Sequence, residues 1–384
     1  MGPGPSDVSP RVLAAMARPT IGHLDPAFVE LMTEVKSLLQ YAFRTKNQLT
    51  IPISGPGTAG MEACIANLVE PGDSVLVCVN GVFGGRMATM AERMGGVVHR
   101  IESPWGEPID LAQLEDALKK HPKTKAIAFV HAETSTGARS DARGIASLAH
   151  RYGTLTIADT VTSLGGIPLE VDEWSLDAVY SGTQKCLSCT PGLSPVTISE
   201  RALSAIRART HPVVSWFLDF GLVMSYWGEG QKRTYHHTAP VNAIYALHEA
   251  LLVLREEGLE KAWARHQLNH EAFRAGLAAM GLELLVHADH RLPQLNAVRI
   301  PADVEDAIVR RAMLYDFGIE IGGGLGDLTG KIWRIGLMGF ASNPRNVYRC
   351  LSALAACMRS SKHVSTADEG LAAAKAVYVA ASRA

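Results

Sequence analysis

No uninterrupted apolar run in this chain approaches the roughly 18 residues needed to cross a bilayer. Its opening, Met1-Gly-Pro-Gly-Pro-Ser6, lacks the charged-then-apolar layout of a secretory signal. Charge of one sign is missing too: 37 Lys and Arg stand against 38 Asp and Glu, a net charge of -1 with no basic stripe. These absences argue against membrane and nucleic-acid partners and point to a cytoplasmic protein. Cysteine is sparse, six in 384 residues, which excludes a disulfide scaffold. Cys186 and Cys189 form a C-x-x-C, but no second close pair of ligands accompanies it for zinc, and no thioredoxin-like setting for redox chemistry. No metal is expected, and the two thiols read as packing groups. Met1-Gly2 with Ser6 meets the loose N-myristoylation pattern, yet the flanking prolines fit a rigid loop better. There is no internal repeat and no low-complexity linker.

What is present is alternation. A chain of 384 residues exceeds what one core usually fills, so two domains are expected. Short β-branched or apolar runs at 49–54, 74–79, 97–101, 126–131, 154–159 and 177–180 read as strands. Helical stretches at 57–70, 84–94, 111–120 and 142–152 fall between them. The pattern predicts an α/β domain with a mainly parallel sheet covered by helices on both faces. After about residue 244 the order changes: helices at 241–256 and 259–280 lead into strands at 283–286, 295–300, 319–321 and 331–336, with helices near 303–316 and 344–359. This reads as a smaller α+β domain, followed from Ser361 by an Ala-rich, helix-prone extension.

Two charges fall at strand ends. Asp159 closes Thr154-Leu-Thr-Ile-Ala-Asp159, and Lys185 follows the run Asp177–Tyr180 in Ser181-Gly-Thr-Gln-Lys185. In an open parallel sheet the carboxyl ends of the strands are where ligands bind. A carboxylate and an amine brought there fit pyridoxal 5'-phosphate, which needs a Lys to hold its aldehyde carbon and an Asp to keep its ring nitrogen protonated. Gly55-Pro-Gly-Thr-Ala-Gly60 matches the dinucleotide pattern G-x-G-x-x-G, but the next strand ends at Asn80 with no acidic residue. The same loop, opening a helix, serves a monophosphate equally well. Phe83, in Asn80-Gly-Val-Phe-Gly84, is placed to lie on a ring. Gln184 is placed to donate to the phosphate, and Arg334 to grip a substrate carboxylate with its planar fork.

Taken together these segments resemble the class V aminotransferases, in the alanine:glyoxylate (serine:pyruvate) branch. The resemblance runs through Gly2–Ser6, Gly22-His-Leu-Asp-Pro26, His131-Ala-Glu-Thr-Ser-Thr-Gly137, Asp159–Gly166, Ser181–Lys185, Tyr235-His-His-Thr238, Ile321-Gly-Gly-Gly-Leu-Gly326 and Arg334-Ile-Gly336. It implies a fold-type I enzyme with an N-terminal substrate and interface loop (1–20), a large cofactor domain (21–255) and a small domain (256–384). It also implies a homodimer with shared active sites, in which Tyr235 and Thr238 reach the partner subunit's cofactor. Gly57, Thr58, Phe83, Thr134, Asp159, Gln184 and Lys185 would bind the cofactor, and Gly4 and Arg334 the substrate. The implied reaction is a ping-pong transfer of an amino group from L-alanine or L-serine to glyoxylate or pyruvate, with Lys185 as the base. Donors such as ureidoglycine or pyridoxamine, or a cysteine desulfurase activity on the same fold, are the alternatives. An NAD-linked oxidoreductase would rest on the glycine loop alone. Two positions depart from the family: Pro56 replaces Ser or Thr in the phosphate loop, and Phe83 replaces Trp. His23 and Tyr235 stand where ureidoglycine-using relatives tend to have Gln and Asn.

Overall fold

The computed structural model describes residues 1–228, 233–358 and 366–383. In the first half of the chain, four strands alternate with helices: β1 (Leu49–Ser54), β2 (Ser74–Val79), β3 (Val97–Glu102) and β4 (Thr124–Val130). A small hairpin follows, β5 (Ala132–Glu133) with β6 (Ala138–Arg139). Then come β7 (Leu155–Asp159), β8 (Ala178–Tyr180) and β9 (Leu193–Ile198). Seven of these form one sheet in the order β1-β9-β8-β7-β4-β2-β3. The stretch from β3 to β8 is parallel, while β9 runs antiparallel to both β8 and β1. Strands β4, β7 and β8 are central and almost wholly buried, which is why they read as continuous apolar runs rather than alternating ones.

The covering helices follow from apolar spacing and caps. Helix Ala142–Arg151 buries Ile145, Leu148 and Ala149 on one face, and Asp141 caps it by accepting from the Gly144 amide at 2.9 Å. Helix Pro26–Phe43, capped by Asp25, buries Phe28, Met32, Val35, Leu39 and Phe43. Residues 1–20, read from sequence as a loop, contain a helix at Pro10–Met16. Ser9 caps it, and Pro10 occupies the first turn, where a missing N–H costs nothing.

A second core lies around a three-stranded antiparallel sheet, β10 (Leu295–Arg299), β12 (Ile332–Gly336) and β11 (Gly322–Gly323), in the order β10-β12-β11. Two expected strands differ here. The run 283–286 makes only an isolated bridge, Leu284 to Val298. The strand expected at 319–321 pairs instead at Gly322–Gly323, because Ile319 and Ile321 turn into the core. The glycines then lie close to what crosses them: a Cβ on Gly322 would come within 2.7 Å of the Pro3 ring. Helix Leu259–Ala279 joins both cores, with Leu259 and Ala262 in the first and Phe273 and Leu277 in the second. The start of the Ala-rich extension near 361 lies outside the described residues. Its helix, Ala367–Ala381, packs on helix 259–279 where Gly276 and Gly370 meet, and Tyr378 donates to Asn269 at 2.7 Å.

Candidate functional site

Parallel pairing in register sets Asp159 beside Tyr180 at the carboxyl ends of β7 and β8. A cavity of about 130 Å³ opens there, and its walls include Gly57, Thr58, Phe83, Thr134, Asp159, Gln184 and Lys185. Asp159 is buried, and its two oxygens accept from the Val161 amide at 2.8 Å and the Tyr180 hydroxyl at 2.7 Å. Burial raises its carboxyl to about 6, with the neighbouring Glu133 charge adding to the rise, while the two hydrogen bonds and Lys185 oppose it. The same burial pushes the Tyr180 phenol well above its ordinary range.

Lys185 is also buried, and its amine falls to about 8 through desolvation and the nearby Arg334 charge. Its ammonium donates to the Pro3 carbonyl. The N-terminal loop is tied over it: the Ser6 amide donates to the Gln184 carbonyl at 2.8 Å, the Ser6 hydroxyl to the Lys185 carbonyl at 2.6 Å, and the Gly336 amide to the Met1 carbonyl at 2.8 Å. Gly4 has φ +108°, and a Cβ there would fall 2.5 Å from Lys185 Nζ. No other residue type fits this position without moving the lysine.

Helix Gly57–Leu68 points its N-terminus into the cavity. Pro56, at the cap, supplies no side-chain hydrogen bond. In the first turn the Ala59 amide donates to the Pro56 carbonyl at 2.7 Å, while the Gly57 and Thr58 amides lie ahead of any acceptor in the helix, at the positive end of its dipole. A Cβ on Gly57 would press to 3.1 Å from Val161, so the backbone itself forms the wall. Phe83 sits in the first turn of helix Val82–Arg93, and its amide donates at 3.2 Å to the fully buried Glu133. Glu133 also accepts from the Ser135 amide and hydroxyl, while burial drives its carboxyl upward. The Thr134 hydroxyl lies 2.5 Å from that of Thr162. Arg334, on β12, donates to the Gly323 carbonyl at 2.8 Å and the Thr134 carbonyl at 3.3 Å. Its Nη2 has no partner among the described residues.

The sequence-expected residues are thus brought together in part. Gly4 and Arg334 reach the rim through Lys185 and Thr134. Tyr235 and Thr238, 3.2 Å apart at their hydroxyls, do not line the cavity of their own chain, and Tyr235 is 63% exposed. Residues not singled out from the sequence are Tyr180, Glu133 and Arg86. Tyr180 and Glu133 lie inside runs already notable in the sequence, but their contacts depend on strand register and on the β5–β6 hairpin. Cys186 and Cys189 are buried, and burial holds their thiols at about 12 and about 11. Among the described residues no three His, Cys, Asp or Glu side chains cluster as metal ligands.

A carboxylate at one end, an amine along the wall and an uncapped helix terminus at the other match the polarity of a protonated pyridine carrying an aldehyde and a phosphate. The fold and this donor set are those of a pyridoxal-phosphate enzyme. A family model, "Aminotransferase class-V", matches residues 8–327. A solved alanine–glyoxylate aminotransferase from Nostoc sp. is 50% identical, with TM-score 0.92 over 94% of each chain. The ureidoglycine–glyoxylate aminotransferase of Bacillus subtilis is 40% identical, with TM-score 0.95 over 98% of this chain and 97% of that one. The alanine–glyoxylate aminotransferase of Oryctolagus cuniculus is 41% identical over 92% of this chain and 91% of its own. The chain belongs to the class-V aminotransferases, and it is a pyridoxal-phosphate-dependent transaminase.

Proposed function

We propose that this transaminase moves the amino group of a small amino acid, L-alanine or L-serine, to glyoxylate or pyruvate by a ping-pong route. The observation that carries this reading is the clearance at Gly4. The N-terminal loop lies so close to Lys185 that even a Cβ would collide, which leaves room beside the amine only for a substrate with a short side chain. The names of the rabbit and Nostoc relatives point the same way.

Pyridoxal phosphate, when bound, supplies the electron sink that lets an amino acid lose its Cα proton. Lys185 would hold the cofactor through Nζ, and its amine is the group that would move the donor's Cα proton. A pKa near 8 suits it to both giving and taking that proton near neutrality. Asp159 would keep the ring nitrogen protonated, its carboxylate oriented by the Tyr180 hydroxyl and the Val161 amide. Phe83, Thr134, Gly57, Thr58 and Gln184 all line the cavity; Phe83 would hold the ring, Thr134 the ring hydroxyl, and Gly57, Thr58 and Gln184 the phosphate. Arg334 takes the substrate carboxylate with its Nη2, which has no partner among the described residues. The exposed Tyr235 and Thr238 serve the partner subunit's cofactor, so the active form is a homodimer. A cytoplasmic setting fits six free cysteines, five of them buried.

The second reading, a ureidoglycine donor, is favoured by the likeness to the Bacillus enzyme. Against it, the His23 and Tyr235 rings pack at 5.1 Å where a ureido group would want paired amides. A desulfurase needs a mobile thiolate, and Cys350 is buried within helix Pro344–Cys357, its thiol raised to about 12. The deciding experiment ranks kcat/KM for alanine, serine and ureidoglycine with glyoxylate as acceptor. Alanine or serine should lead, and ureidoglycine in first place would overturn the assignment.

A further inference from the structure

We propose that Arg86 is a phosphate-binding residue of the cofactor site, supplying the charge and donors that Pro56 cannot. This rests on the reading of the cavity as the cofactor site and extends it to a residue that neither the sequence motifs nor the family resemblance singled out.

The need is visible at the helix terminus. A phosphate monoester carries roughly -1.5 to -2 charges near neutral pH, whereas a helix N-terminus offers about half a positive charge. Pro56 has neither an N–H nor a hydroxyl, and its side chain makes no cap. Lys185 is committed elsewhere, at the carbonyl end. The phosphate end therefore needs a cation of its own.

Arg86 is placed to be that cation. It follows Phe83 by three positions on helix Val82–Arg93, so both side chains leave the same face. Its guanidinium carbon lies 5.0 Å from the centre of the Phe83 ring, and its Nη1 donates to Thr58 Oγ1 at 3.2 Å. Both of those partners are walls of the cavity, as is Arg86 itself. Among the described residues no carboxylate pairs with it, so its other donors are not engaged by an acid. A guanidinium fixed at one nitrogen by Thr58 and steadied on an aromatic face retains a planar fork suited to two phosphate oxygens. The alternative is a solvated surface arginine that rests on Phe83 and does nothing at the phosphate.

Phosphate specificity separates the two. Cofactor-free wild type, Arg86→Gln and Arg86→Lys are titrated with pyridoxal phosphate and, separately, with pyridoxal, which lacks the phosphate. Binding is followed by quenching of protein fluorescence and by the absorbance of cofactor held on Lys185. In Arg86→Gln the affinity for pyridoxal phosphate should fall about tenfold or more, the scale of one lost charge-assisted hydrogen bond, while that for pyridoxal stays the same. Arg86→Lys, which retains the charge without the fork, should fall between and serves if the Gln variant does not fold. Inorganic phosphate should compete with pyridoxal phosphate more weakly in Arg86→Gln than in wild type. An equal loss for both ligands, or none for either, overturns the proposal while leaving the cofactor site intact. Failure of wild type to bind either ligand on Lys185 overturns the cofactor site itself, and the role of Arg86 with it.

Discussion

Replacing Asp159 with Asn separates what this carboxylate costs the fold from what it gives the cofactor. In the cofactor-free protein its carboxyl lies at about 6 against an ordinary 3.8, so the native state keeps a proton that the unfolded chain releases. Stability therefore declines as pH rises through that interval, and the whole deficit stands at every higher pH. About two units at 1.36 kcal/mol each makes this roughly 3 kcal/mol. An amide cannot ionise and escapes that penalty. It does put an NH2 donor in place of one of the two oxygens that now accept from Tyr180 and Val161, a pH-independent cost of about 1–3 kcal/mol. Urea unfolding of both cofactor-free proteins, at one protein concentration and across a pH series, isolates the ionisation part. The difference should shift in favour of Asp159→Asn by roughly 3 kcal/mol between about pH 4 and pH 7. With saturating pyridoxal phosphate the order should reverse, because the cofactor stabilises the protein that binds it better. A difference that does not vary with pH would refute the claim that burial raises this carboxyl.

Other outcomes follow from the same geometry. With its amine lowered from 10.5 to about 8, Lys185 should capture pyridoxal phosphate at a rate that climbs with pH through about 8 and then levels; a climb centred near the ordinary value would contradict the desolvated setting. Arg334→Ala should reduce kcat/KM for the amino acid on the order of a hundredfold, while cofactor affinity, read from the bound absorbance, stays near wild type. Gly4→Ala places a Cβ at positive φ against the lysine side chain, so covalent capture of the cofactor should slow sharply, and the strain, about 1–3 kcal/mol, should also lower the unfolding temperature of the cofactor-free protein.

That Asp159 and Lys185 line one cavity was legible in the sequence, because a parallel sheet delivers successive strand ends to one edge and each of the two follows a continuous apolar run. The strand at 193–198 was not, since Pro195 in the middle of the run argues against a ladder paired on both sides, yet β9 lies between β1 and β8. Tyr180 was visible only as the last residue of a strand. That its hydroxyl meets Asp159 depends on the β7–β8 register, which apolar patterning does not encode. Glu133 was hidden for a related reason: an acid in a short polar run reads as exposed until a hairpin folds it beneath Phe83. In the small domain, alternation at 319–321 suggested a strand, but the pairing falls on Gly322 and Gly323 just beyond, where Gly322 leaves room for Pro3 of the N-terminal loop.

We propose amino transfer on pyridoxal phosphate by Lys185 and Asp159, with a small amino acid as donor. Its most direct test is the absorbance spectrum of the purified holoenzyme, recorded before L-alanine, after it, and again after glyoxylate. The long-wavelength band of cofactor held on Lys185 should fall with alanine and return with glyoxylate, and Lys185→Ala should show neither change. A band that ignores alanine and serine alike would contradict the proposed donor, and no Lys185-dependent band with added pyridoxal phosphate would contradict the site.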